Sequence, residues 1–80
     1  MTPTLYVKHR CPWCAEAIAW LDQRKIKYHL VDVLADATAY KRMQKISGQS
    51  RTPTLELANG AVLADFDVSQ LEGFLENNPL

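Results

Sequence analysis

Apolar residues along the chain come in short runs separated by charged or turn-forming residues. Thr4-Leu5-Tyr6-Val7 is β-branched and aromatic, the composition of a short buried strand. The spacing then changes: Cys14, Ala17, Ile18 and Leu21 recur at helical intervals on one face, with Glu16, Asp22 and Gln23 off it. Pro12 falls near the first turn of that helix, where a missing N–H costs no hydrogen bond. Tyr28 to Val33 returns to strand character, bounded by Arg24-Lys25 and by Asp36. Asp36 is placed to cap a second helix carrying Ala39, Tyr40, Met43 and Ile46, ended by Ser47-Gly48. Thr54 to Leu57 predicts a strand, Asn59-Gly60 a tight hairpin turn and Ala61 to Leu63 the strand's partner. Asp67, with Gln70 three residues on, has the form of a capping box opening a helix through Leu71, Phe74 and Leu75. Gly73 within that helix weakens it by about 1 kcal/mol relative to Ala.

The order is βαβ followed by ββα. A βαβ unit pairs its strands in parallel through a right-handed crossover, whereas the Asn59-Gly60 turn makes an antiparallel pair. The expected fold is therefore α/β: a four-stranded mixed sheet flanked by three helices, the thioredoxin-like arrangement.

Composition narrows the possibilities. The chain has 80 residues, enough for one hydrophobic core, so residues 1–80 are expected to form a single domain. Nine basic residues balance nine acidic ones, leaving no overall field to attract nucleic acid or an anionic membrane. No stretch approaches the ~20 apolar residues needed to span a bilayer. Met1 to Val7 does not have the pattern of a signal peptide. A cytoplasmic, monomeric protein that binds neither nucleic acid nor membrane is expected.

The two cysteines lie at Cys11-Pro12-Trp13-Cys14, where the first strand gives way to the first helix. At such a junction a Cys pair with two intervening residues reads as a redox motif. The unpaired N–H groups and dipole of a helix start favour an anion, and Lys8 and Arg10 add nearby positive charge. Such surroundings lower a thiol pKa from ~8.5 to ~3.5–7.5. Cys11 is thus the expected nucleophile, and Cys14, one turn in on the apolar face, the buried resolving thiol. A structural disulfide would brace almost no loop at this spacing. A zinc site could recruit His9 and His29, but His29 falls within a strand and nothing else imitates zinc-finger spacing. No metal is expected.

The chain resembles the glutaredoxin family over essentially its whole length. The carrying features are Lys8-His9-Arg10-Cys11-Pro12-Trp13-Cys14, Ser47-Gly48 with Thr52-Pro53, and Leu63-Ala64-Asp65-Phe66-Asp67. The resemblance implies a cis Thr52–Pro53 bond beside the redox pair, where sequence alone would favour trans. It also implies a glutathione groove: Lys8 and Trp13 at its flanks, the Thr52 backbone pairing like an added strand, and Phe66 and Asp67 receiving the γ-glutamyl carboxylate. The family usually has Thr-Val-Pro at Arg51-Thr52-Pro53, Gly-Gly at Ala64-Asp65 and Tyr at Trp13. Asp65 places a negative charge near the carboxylate site, and Arg51 is the residue suited to offset it.

The implied activity is glutathione-dependent reduction of glutathione mixed disulfides and small protein disulfides. Glutathione would serve as cosubstrate, with no tightly bound cofactor. A thioredoxin- or NrdH-like reductant recharged by thioredoxin reductase is the alternative of the same class. A glutathione-ligated iron–sulfur cluster carrier and a non-catalytic interaction domain are the alternatives outside it.

Overall fold

The computed structural model describes residues 2–80. Its strands are β1 (Thr4–Val7), β2 (His29–Asp32), β3 (Thr54–Glu56) and β4 (Val62–Ala64), and its helices α1 (Pro12–Gln23), α2 (Ala37–Ser47) and α3 (Leu71–Asn77). A 3-10 turn, Val68–Gln70, leads directly into α3. The sheet order is β2-β1-β3-β4, with β1 parallel to β2 and antiparallel to β3, and β3 antiparallel to β4. This is the expected mixed sheet, and β1 lies inside it because its residues are apolar on both faces.

Alternation along β1 divides the core in two. Leu5 and Val7 point to the face covered by α1 and α3, where they pack with Cys14, Ala17, Leu21, Leu55, Phe66 and Leu71. Tyr6 points to the other face, where it meets Val33 and Met43 beneath α2. Fully burying a Leu- or Phe-sized side chain contributes about 1.5–3 kcal/mol. The first cluster is the larger, and α1 is anchored in it by the face that carries Cys14.

Local chemistry sets the helix ends. Asp36 caps α2 by accepting the Ala39 N–H at 3.1 Å. Gly48 ends α2 in the left-handed region (φ 69°), donating its N–H to Gln44 O. Three expected boundaries shift. The second strand is shorter than Tyr28 to Val33, as Val33 N–H still bonds to Val7 O but the chain then turns. Leu57 N–H pairs with Ala61 O, so the hairpin loop is 58–60, with Gly60 at φ 91°, and not a two-residue turn. The Asp67–Gln70 capping box exists, but it opens the 3-10 turn and the α-helix proper begins at Leu71.

Candidate active site

The loop after β1 must turn sharply to start α1, and Arg10 makes that turn in the left-handed region (φ 61°). Cys11 follows as the N-cap of α1, with Pro12 in the first turn. Its sulfur accepts the Cys14 N–H at 3.2 Å, one of the donors that a helix start leaves without an intrahelical partner. A thiolate formed there would receive the same bond and lie on the positive end of the helix. Cys11 and Cys14 are joined as a disulfide. Cys14 is 2 % exposed, whereas Cys11 is only part-buried. The two cysteines thus differ in their access from outside.

The segment before β3 closes over Cys11. Thr52–Pro53 is cis, and both the Thr52 carbonyl oxygen and hydroxyl lie 3.8 Å from Cys11 Sγ. Pro53 is fully buried at the strand start. Side chains hold this segment from several directions. Gln49 accepts the Arg51 N–H at 2.6 Å and donates to Ser47 Oγ (2.9 Å) and Thr54 Oγ1 (3.2 Å). Thr54 Oγ1 donates to Arg51 O at 2.9 Å. The Ser50 carbonyl accepts from Lys8 Nζ (3.0 Å) and from the Tyr40 hydroxyl (3.1 Å), and the Lys8 ammonium lies 5.1 Å from the Tyr40 ring centroid.

Thr52 and Pro53 thus lie beside Cys11 and Cys14, while the Lys8 ammonium is tied to Ser50 of the loop and Tyr40 of α2. Trp13 is 46 % exposed on the first turn of α1. Arg51 Nη1 lies 3.6 Å from Asp65 Oδ2, the compensation expected from their charges. Asp65 has φ 50°, so this is a backbone position that favours glycine, and Asp is among the side chains that tolerate it. Phe66 is fully buried, so its side chain belongs to the core and only its backbone can face a ligand. Asp67 accepts the Ser69 N–H (2.8 Å) and the Ser69 hydroxyl, and donates its own N–H to Gln70 Oε1 at 3.1 Å. The Asp67 N–H, one of the donors expected to receive a carboxylate, is therefore already used within the capping box.

The histidines are apart. His9 Nδ1 lies 3.4 Å from Asp32 Oδ2 at the loop mouth. His29 pairs with Thr4 at the start of β1, so it stands at the opposite end of the strand from Cys11. Donation from Leu34 N–H holds the Asp32 carboxyl below its ordinary range, and His9 acts in the same direction. Gln49, Ser50 and Tyr40 escaped the sequence reading. A lone Gln after a helix-ending glycine carries no periodic or motif signal, and its partners become visible only when the loop is folded.

A comparison with protein families matches residues 4–63 to the glutaredoxin family. Among solved structures, the thioredoxin-like protein BC3987 is 28 % identical, with a TM-score of 0.83, over 92 % of this chain and 100 % of that one. A glutaredoxin from Archaeoglobus fulgidus has a TM-score of 0.75 at 13 % identity, covering 91 % of this chain and 84 % of that one. A glutaredoxin from Brucella melitensis has a TM-score of 0.69 at 23 % identity, covering 99 % and 82 % respectively. No curated protein matches.

Proposed function

The chain belongs to the glutaredoxin family, and from that premise we propose that it is a dithiol thiol–disulfide oxidoreductase reducing protein disulfides and glutathione mixed disulfides. The observation that carries this reading is the part-exposed Cys11 sulfur at the α1 N-cap, accepting the Cys14 N–H and facing Thr52. Cys11 thiolate attacks one sulfur of the substrate disulfide, and the other leaves as a thiolate that takes up a proton. Cys14 then gives up its proton and attacks Cys11 Sγ, releasing the second substrate thiol. The internal Cys11–Cys14 disulfide is the product of that sequence. The Thr52 backbone beside Cys11 suits pairing with the polypeptide that flanks a substrate sulfur.

For the return of electrons, a thioredoxin-reductase-type donor is favoured over glutathione. Two features support this: the N–H groups of Asp67 and Ser69 are engaged in the capping box, and the Arg51 guanidinium faces Asp65. Both reduce what the groove offers to the carboxylates of glutathione. The test supplies the oxidised protein with NADPH and either thioredoxin reductase or glutathione with glutathione reductase, and follows NADPH consumption against a protein disulfide. Faster turnover with thioredoxin reductase is expected. Faster turnover with the glutathione system overturns this choice of donor, and activity of Cys11→Ser equal to wild type overturns the exchange mechanism itself.

A further inference from the structure

Thr52 flanks Cys11 from the β3 side of the sheet, whereas a separate cleft of about 360 Å3 adjoins Cys11 and Cys14 from the β2 side. Its walls are apolar. Leu30 is in register with Leu5 and so points to the same face as α1, where it meets the cleft with Ala15 and Ile18. Val7 and Cys14 also line it. Leu30 is 53 % exposed although it belongs to a strand and stands near a reactive sulfur. The cleft's charged side chains are Arg10 and Asp32, the latter facing His9, while the Lys8 ammonium turns away to the Ser50 carbonyl and the Tyr40 ring.

We propose that this cleft is a substrate subsite, receiving a bulky aliphatic side chain one or two residues from the target cysteine of a polypeptide disulfide. The inference rests on the dithiol-exchange reading. Cys11 is a wall of the cleft, so a chain bonded to its sulfur has neighbouring residues only one or two Cα–Cα steps, about 3.8 Å each, from the opening. That continuity identifies the occupant as part of the disulfide substrate. Thr52 would hold the substrate backbone, and the cleft would choose among side chains.

The experiment uses fully reduced protein and measures single-turnover rates by release of peptide thiol. Protein dithiol plus peptide disulfide gives the Cys11–Cys14 disulfide and two peptide thiols, so no other reductant is needed. The substrates are symmetric disulfides of the peptides Glu-Leu-Cys-Gly, Glu-Gly-Cys-Gly and Lys-Leu-Cys-Gly, with hydroxyethyl disulfide as a probe that has no side chain to seat. The Leu peptide with Glu is expected to react about tenfold faster than its Gly counterpart. The Lys and Glu peptides are expected to react at similar rates, since the cleft has one cation, Arg10, and one carboxylate, Asp32. Leu30→Thr, which keeps a strand-forming residue, and Ala15→Gln, which fills the opening from an exposed helix position, should each bring the Leu-to-Gly rate ratio to about threefold or less. A ratio near one in the wild type, or a ratio unchanged in both variants, overturns the subsite while hydroxyethyl disulfide is still reduced. If hydroxyethyl disulfide is not reduced either, the exchange reading fails and takes the subsite with it.

Discussion

The Thr52 hydroxyl lies 3.8 Å from Cys11 Sγ, with the Thr52 carbonyl oxygen at the same distance. The two groups oppose each other: the hydroxyl can donate to a thiolate, whereas the carbonyl can accept only from a thiol. On a reduced Cys11, the residue before the cis proline would thus act on thiol and thiolate in opposite senses.

Thr52→Val removes the donor and keeps the shape and the carbonyl. Losing the hydroxyl should make the Cys11 thiol a weaker acid, and only slightly so because the bond is long and sulfur is a weak acceptor. The rate of alkylation by iodoacetamide as a function of pH reports it. An unchanged midpoint would show that the hydroxyl does not reach the thiolate.

Cys14→Ser should stop the reaction at the mixed disulfide on Cys11, because no buried thiol remains to displace the substrate. Mass spectrometry after mixing with a protein disulfide should find the covalent complex in this variant. Cys11→Ser should yield none, since Cys14 is 2 % exposed and out of reach.

Gln49→Ala deletes the side-chain bonds to Arg51 N, Ser47 Oγ and Thr54 Oγ1 that brace the segment over Cys11. The groups released are partly solvated, apart from the fully buried Thr54, so the stability cost should be about 1–2 kcal/mol. The urea midpoint measures it. Exchange should slow more for peptide disulfides than for hydroxyethyl disulfide, since only the former use the Thr52 backbone, and an equal effect on both would argue against a positioning role.

Tyr6 supplies a pH dependence. Burial, reinforced by donation to Glu56 Oε1 at 2.7 Å, holds its hydroxyl above the ordinary tyrosine value, with Arg42 acting the other way. The folded state then keeps a proton that the unfolded chain releases, so the stabilisation is complete below pH ~10 and is lost as pH rises through the folded value. Tyr6→Phe should be less stable than wild type at neutral pH but should lose less stability above pH ~10. Chemical denaturation at pH 7 and at pH 10.5 checks the sign.

Helical spacing at Cys14, Ala17, Ile18 and Leu21 was enough to place one cysteine at a helix start and the other in the core. Those are consequences of local geometry, and the periodicity of the residues expresses them directly. The ends of short strands were less legible. At Leu57 and Ala61 a backbone pair extends the ladder past the strand bounds, and at Val68–Gln70 a 3-10 turn precedes α3. Both reflect packing on neighbours more than the preference of any one residue.

The sequence by itself determined the element order, the helix start at Cys11 and the burial of Cys14. All three depend on residues close in the chain, and the spacing of apolar positions carries them openly. Tertiary structure alone decided that Gln49 braces the segment over Cys11, that Lys8 reaches Ser50 and Tyr40, that Asp67 makes its hydrogen bonds within its own turn, that Arg51 meets Asp65, and that Leu30 and Ile18 line one cleft beside the redox pair. Several of these join residues ten or more apart in the chain, and others turn on which of several partners a polar group finds once the backbone has folded.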